Sequence, residues 1–278
     1  MSLRRRTAHV LAAATIPLVT ALTVSLVAAP AQAAATTYTA LGDSYASGTG
    51  TREYYSDSGS CQRSRHSYPV LTAARLGATL TFPACAGATV SGVLNNQLGS
   101  LSSATNHVTV TVGGNDIGWS SVIVQCALPW PTTCWSQIDS AENQIRNTLP
   151  GRLDQLYSRI RTLAPNARVV VVGYPRLFNG EECNIIARIS PGEQTELNAA
   201  ADLLATTIRA RATAHGFTFV DARGPFTGHA VCDDVEWLNG TSNPIGESYH
   251  PNRAGHVGYT GVVEPALRTA AAAATERS

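Results

Sequence analysis

Arg168-Val-Val-Val-Val-Gly173 is a run of four β-branched residues closed by a glycine. Continuous apolarity over so short a stretch marks a central strand buried on both faces, as in a parallel sheet covered by helices. Upstream, His107-Val-Thr-Val-Thr-Val112 is a similar run that stops at Gly113-Gly114-Asn115-Asp116, a strand-end turn. Between the two, residues 136–164 place Ile145, Leu149, Leu153, Leu156, Ile160 and Leu163 on one helical face, with Pro150 expected to start or kink the second half. Short β-branched runs alternating with longer amphipathic stretches define an α/β architecture.

The same alternation extends in both directions. A first strand is expected over Thr36 to Leu41, ending in Gly42-Asp43-Ser44, and a helix after Ser67. A second strand follows over Thr79 to Phe82. Beyond the central run, Ser190-Pro191-Gly192-Glu193 is a capping box with proline at the first helical position, opening a helix to about His215. Phe217 to Val220 is the fifth strand; a long loop runs to Pro251, and a last helix that frays begins at Asn252. The chain shows neither an internal repeat nor a domain linker.

Composition agrees with one globular body. Of 278 residues, 44% are hydrophobic and 14% charged, which excludes a disordered chain, and the 23 Gly and 14 Pro carry no period. Residues 1–33 read as a secretory signal peptide: Arg4-Arg5-Arg6, an apolar stretch from Val10 to Ala29, and Ala31-Gln32-Ala33 as cleavage site. The rival reading is an uncleaved anchor, which Pro17 and the missing aromatic belt disfavour. Residues 34–278 then form a single domain with no integral membrane segment. All 20 basic residues are arginine; without the leader 17 remain against 19 acids, a near-neutral balance that argues against a nucleic-acid partner.

Six cysteines, Cys61, Cys85, Cys126, Cys134, Cys183 and Cys232, are an even number in a chain expected to be secreted, so three disulfides are the default. Fifteen connectivities are open; pairing neighbours in order is the expected one. No cysteine has a second Cys or His at ligand spacing, so no metal and no other cofactor is expected.

Nucleophilic hydrolysis requires a hydroxyl on a sharp strand-to-helix turn, an imidazole to take its proton, and donors for the oxyanion. Ser44, in Gly42-Asp43-Ser44-Tyr45-Ala46-Ser47-Gly48, stands at such a turn at the carboxyl edge of the first strand. Alone, the motif reads equally well as a turn whose Asp and Ser bond their own backbone, and Asp43 is better placed to brace that turn than for acid-base chemistry. Three further strand-end or loop features follow in order: Gly87 in Cys85-Ala-Gly87-Ala, Asn115 after the third strand, and His250 in Ser248-Tyr249-His250-Pro251-Asn252.

Together these four blocks resemble the SGNH or GDSL hydrolase superfamily, over essentially the whole mature chain. The leader and cysteines resemble its secreted actinobacterial lipase, esterase and phospholipase branch. The resemblance implies a three-layer α/β/α sandwich around a mostly parallel five-stranded, flavodoxin-like sheet. It implies Ser44 as nucleophile, His250 as base, and an oxyanion hole of the Ser44 and Gly87 backbone N–H groups with the Asn115 amide. The chain departs from the family at Tyr45, where the pattern has Leu, and at Glu247, where the family often has Asp. The group that orients His250 is therefore open between the Ser248 backbone carbonyl, slightly favoured, and the Glu247 carboxylate.

The expected function is secreted hydrolysis of lipid carboxyl esters by a monomer, at a lipid-water interface or on other ester substrates. A carbohydrate acetyl esterase would instead require a shallow polar cleft. A binding module without turnover would have lost Ser44, Asn115 or His250. His66, His107, His215, His229 and His256 lack a flanking motif and read as structural, His256 alone being near enough to His250 for a supporting role. Trp119, Trp130, Trp135 and Trp237 are expected mostly in loops near strand ends, as an aromatic rim or as core. With an ordinary imidazole, activity would fall in acid around the reference value of about 6.5.

Overall fold

The computed structural model describes residues 35–129, 131–183 and 188–269; the expected leader and Trp130 lie outside them. In chain order the elements are β1 (Thr37–Gly42), α1 (Ser44–Ser47), α2 (Tyr68–Leu76), β2 (Thr79–Thr81), α3 (Val90–Asn96) and β3 (His107–Thr111). Then come α4 (Trp119–Cys126), α5 (Trp135–Asn147), α6 (Leu149–Leu163), β4 (Arg168–Val172), α7 (Pro191–Ala214), β5 (Thr218–Val220) and α8 (Arg253–Arg268). The strands form one parallel sheet in the order β2-β1-β3-β4-β5. Helices α2 and α8 cover one face and α3, α5, α6 and α7 the other, giving the three-layer sandwich.

Local chemistry explains several elements. The β-branched side chains of β4 pack on both faces of the sheet, and Val169 to Val172 are all buried. Ser190 and Glu193 bond each other's backbone N–H groups at the start of α7 with Pro191 at its first position. Asn252 caps α8 through its side chain to the Gly255 N–H. The helical stretch expected over 136–164 is two helices parted at Thr148, Pro150 being the second residue of α6.

Two helices, α3 and α4, were not expected. Val90-Ser-Gly-Val-Leu-Asn-Asn96 is rich in poor helix formers, and Trp119-Ser-Ser-Val-Ile-Val-Gln-Cys126 reads locally as a strand. Tertiary packing decides both: Val90, Val93, Val122 and Ile123 are buried in the core. The tryptophans depart from the loop expectation accordingly, since Trp119 and Trp135 open α4 and α5, while Trp237 lies in a loop and stacks on His229. Disulfides join Cys61 to Cys85, Cys126 to Cys134 and Cys183 to Cys232. No helix among the described residues is long and apolar enough to cross a membrane.

The reversal of strand order lies between β1 and β3, and ligand crevices of open parallel sheets form at the carboxyl ends of such strands. There Gly42 closes β1 with φ +136, a conformation that L side chains rarely adopt. A Cβ at this position would meet the backbone N of Thr111 at 2.9 Å. The Gln97 side chain brackets the same residue, accepting from the Gly42 N–H and donating to its carbonyl, both at 2.8 Å. Gly42→Ala is therefore expected to cost more than about 2 kcal/mol through strain and overpacking, read as a lower urea midpoint at unchanged slope.

Candidate active site

Ser44 is the first residue of α1, a single turn that begins where β1 ends. The Asp43 carboxylate caps this turn by accepting from the Tyr45 N–H at 3.0 Å, and Gly48 closes it in the left-handed region. The Ser44 hydroxyl thereby faces out of the sheet edge. Its Oγ lies 2.8 Å from His250 Nε2, and His250 Nδ1 lies 2.9 Å from the Ser248 carbonyl oxygen. A carbonyl only accepts, so Nδ1 carries the proton and Nε2 presents its lone pair to the hydroxyl.

Two devices hold the ring there. A bridge between Leu238 and Pro251 sets a short antiparallel pairing, in which Asn239 N–H donates to the His250 carbonyl and Tyr249 N–H to the Asn239 carbonyl, each at 2.9 Å. Tyr249 takes φ +59, and its carbonyl accepts from the Tyr45 hydroxyl at 2.7 Å. Glu247, the other candidate orienter, turns elsewhere. Its buried carboxylate accepts from the Tyr54 hydroxyl at 2.6 Å, with Arg52 Nε at 3.7 Å, and makes no bond to His250.

Asn115 follows β3 in a 3-10 turn, and its side-chain amide donates to the Ala88 carbonyl at 3.0 Å, tying the Gly87 loop to the end of β3. Gly87 has φ +77 and no atom within 4 Å of where a Cβ would stand. Ser44, Asn115, Ser248 and His250 all line one cavity of about 290 Å³, whereas Gly87 lies outside its lining. Most of the remaining wall is apolar: Ile123 and Val124 from α4, Leu204 from α7, with Ala127, Leu177 and Ile245 from the connections.

Three polar residues that no local sequence pattern announces support this arrangement. Tyr174 donates to the Asp43 carboxylate and accepts from the Gly114 N–H, so the Ser44 turn and the Asn115 turn share one hydroxyl. Burial pushes the Asp43 carboxyl up to about 7, against the bonds from Tyr174 and Tyr45 that lower it. Because that value exceeds the unfolded one, the stability linked to this proton is present at low pH and is lost as pH rises through about 7. Gln97 and Asn239 are the other two, and neither carries a local motif. Asp116 holds the Val90 N–H at 2.8 Å and Arg152 at 3.1 Å, clamping α3 to the β3 turn.

His66, His215, His229 and His256 have structural partners. His66 pairs with Glu53 and His215 with Asp154; His256, buried between Tyr68 and Tyr259, accepts from the Tyr68 N–H. His250 itself departs from the ordinary imidazole expected above. Burial depresses it to about 4, only partly offset by the Ser248 carbonyl, so the ring is neutral through the mildly acidic range. Its ring protons, followed by NMR in wild type, should titrate near pH 4 rather than near 6.5; a midpoint at the ordinary value would show the site to be hydrated.

A parallel sheet carrying a hydroxyl-imidazole-carbonyl series over its carboxyl edge, above an apolar cavity, defines the class as a carboxylic ester hydrolase. Residues 40–257 match the GDSL-like Lipase/Acylhydrolase family, and the chain belongs to it. Lipase 1 of Streptomyces coelicolor is 47% identical over 242 residues, 86% of this chain and 89% of that protein. An extracellular lipase from Streptomyces rimosus superposes with a TM-score of 0.78 at 41% identity, over 85% of this chain and all of that one. The phospholipase A1 from Streptomyces albidoflavus NA297 does so at 0.78 and 43%, over 85% and 99%.

Proposed function

We propose that this chain is a secreted hydrolase of lipid carboxyl esters, acting through a Ser44 acyl-enzyme. The observation that carries the reading is the apolar cavity opening on the Ser44–His250 pair. An acyl chain is sequestered from water there, which a polysaccharide acetyl ester does not require. The leader motif and the three disulfides support secretion.

In this reading His250 Nε2 takes the Ser44 proton as Oγ bonds to the ester carbonyl carbon. The carbonyl oxygen becomes an oxyanion, which the Ser44 and Gly87 N–H groups and the Asn115 amide stabilise. Depressed basicity in the resting enzyme is compensated as the reaction proceeds, because the oxyanion and the Ser248 carbonyl both favour the imidazolium. That imidazolium then protonates the departing alcohol oxygen, and the Ser44 acyl ester remains. Water, deprotonated by the same nitrogen, releases the acid and restores Ser44. Asn115 is held for its part by the bond to Ala88, which leaves its second amide proton free to meet substrate.

Ser44→Ala should abolish hydrolysis of p-nitrophenyl esters with melting unchanged, while Asn115→Ala should lower kcat by about 10²- to 10³-fold. A panel of p-nitrophenyl esters, triglyceride, phosphatidylcholine and acetylated xylan completes the test. Preference for long acyl chains is expected; turnover confined to acetylated xylan would overturn the lipid assignment.

The cavity wall also reaches the surface. Val124 is 63% exposed and Ile245 71%, and both belong to the lining, so two apolar side chains at the cavity edge are open to a lipid surface. Val124→Asp combined with Ile245→Asp is expected to weaken activity on emulsified triglyceride by about tenfold, with a smaller change on a dissolved butyrate ester. Equal losses on both substrates would point to the cavity rather than to surface binding.

A further inference from the structure

Tyr45, where the chain departs from the Leu of the family pattern, touches both halves of the proposed catalytic pair. Its N–H anchors the nucleophile turn on Asp43 at 3.0 Å, and its hydroxyl donates to the Tyr249 carbonyl at 2.7 Å, across 204 positions of chain. Its ring packs against the His250 imidazole, with centroids 5.3 Å apart, and edge-on against Tyr174 at 5.1 Å. Tyr249 is one of four non-glycine residues with positive φ among the described residues. A bulky side chain in that region is held only where its surroundings over-determine the backbone. From the carbonyl side, the Tyr45 hydroxyl supplies that constraint; from the N–H side, Asn239 does.

We infer that Tyr45 is a positioning residue for His250: its hydroxyl holds the left-handed Tyr249 peptide in the orientation that aims Nε2 at Ser44. The bond lies one peptide from the ring it controls. A shift of about 1 Å in such a contact is enough to lower the rate by orders of magnitude. This inference rests on the Ser44–His250 reading above. A Leu at position 45 of this chain would have no hydroxyl to offer the Tyr249 carbonyl.

Charged groups near the ring do not compete for the role. The Glu247 carboxylate is engaged by Tyr54 and Arg52, and the Asp43 carboxyl by Tyr174 and the Tyr45 N–H. The His256 ring is bonded to the Tyr68 N–H. A change in how His250 titrates on removal of the Tyr45 hydroxyl therefore reports on ring placement and hydration.

Tyr45→Phe keeps the ring and removes one oxygen. It is expected to lower kcat about tenfold with KM within about twofold, the size of one lost hydrogen bond acting on the reaction rather than on binding. The acid limb of kcat/KM should also move up, toward the ordinary imidazole value, as the loosened ring meets water. Tyr45→p-aminophenylalanine restores a donor and should recover kcat to within about threefold, whereas Tyr45→p-methylphenylalanine, of equal size, should not. That matched pair preserves side-chain volume and decides the question even if Tyr45→Phe folds poorly. Unchanged kcat and acid limb in a folded Tyr45→Phe, or equal activity in the matched pair, would overturn the inference. Because Ser44→Ala and His250→Ala are measured alongside, retained turnover in those variants identifies failure of the catalytic assignment instead.

Discussion

The hydrogen bond between the Ser44 hydroxyl and the His250 imidazole joins residues 206 positions apart, and the molecule is arranged so that they can meet. β1 delivers Ser44 to the sheet edge at the point where strand order reverses. The loop that precedes α8 delivers His250 to the same edge. Neither residue reaches the other through its own secondary structure; the contact depends on two turns with constrained backbones, at Gly42 and at Tyr249. The apolar cavity has chemical meaning only because that pair lies on its wall.

Around this contact the polar side chains work in pairs. Gln97 bonds the N–H and the carbonyl of Gly42, Tyr174 bridges Asp43 to Gly114, and the Asn239 side-chain amide donates to the Gly50 and Glu247 carbonyls. Buried donors and acceptors left unmet are costly, so each pairing discriminates against neighbouring geometries of the turn it holds. Rigidity at the site thus follows from hydrogen-bond satisfaction as much as from core packing. The neutral imidazole follows from the same burial, which disfavours a charged His250 at rest.

Much of this was readable in the chain. β3 and β4 declare themselves by unbroken β-branched runs, and the α7 cap by Ser190 and Glu193, because their signals are local and strong. The Ser44 and Asn115 blocks were equally legible as turns, since each follows directly on a parallel strand, whereas those of Gly87 and His250 lie in loops. The helices α3 and α4 were not, because Ser91, Gly92, Asn95 and Asn96 weaken one and Val122, Ile123 and Val124 disguise the other. Nor was the choice between Glu247 and Ser248 legible: both lie within three residues of His250, and the outcome depends on the Tyr249 backbone and on Tyr54, which lies 193 positions from Glu247. Gln97, Tyr174 and Asn239 act only through distant partners, so no local pattern announces them.

The Cys126–Cys134 bridge joins the end of α4 to the residue before α5 and closes a loop of only 8 positions. So short a loop restricts the unfolded chain little, less than the about 3 kcal/mol expected of one near 15 residues. Its effect falls on one wall of the cavity, since α4 and the residue after it contribute Ile123, Val124 and Ala127 there. Loss of this bridge alone would accordingly loosen one wall beside the Ser44–His250 pair while leaving the sandwich and its other two bridges standing.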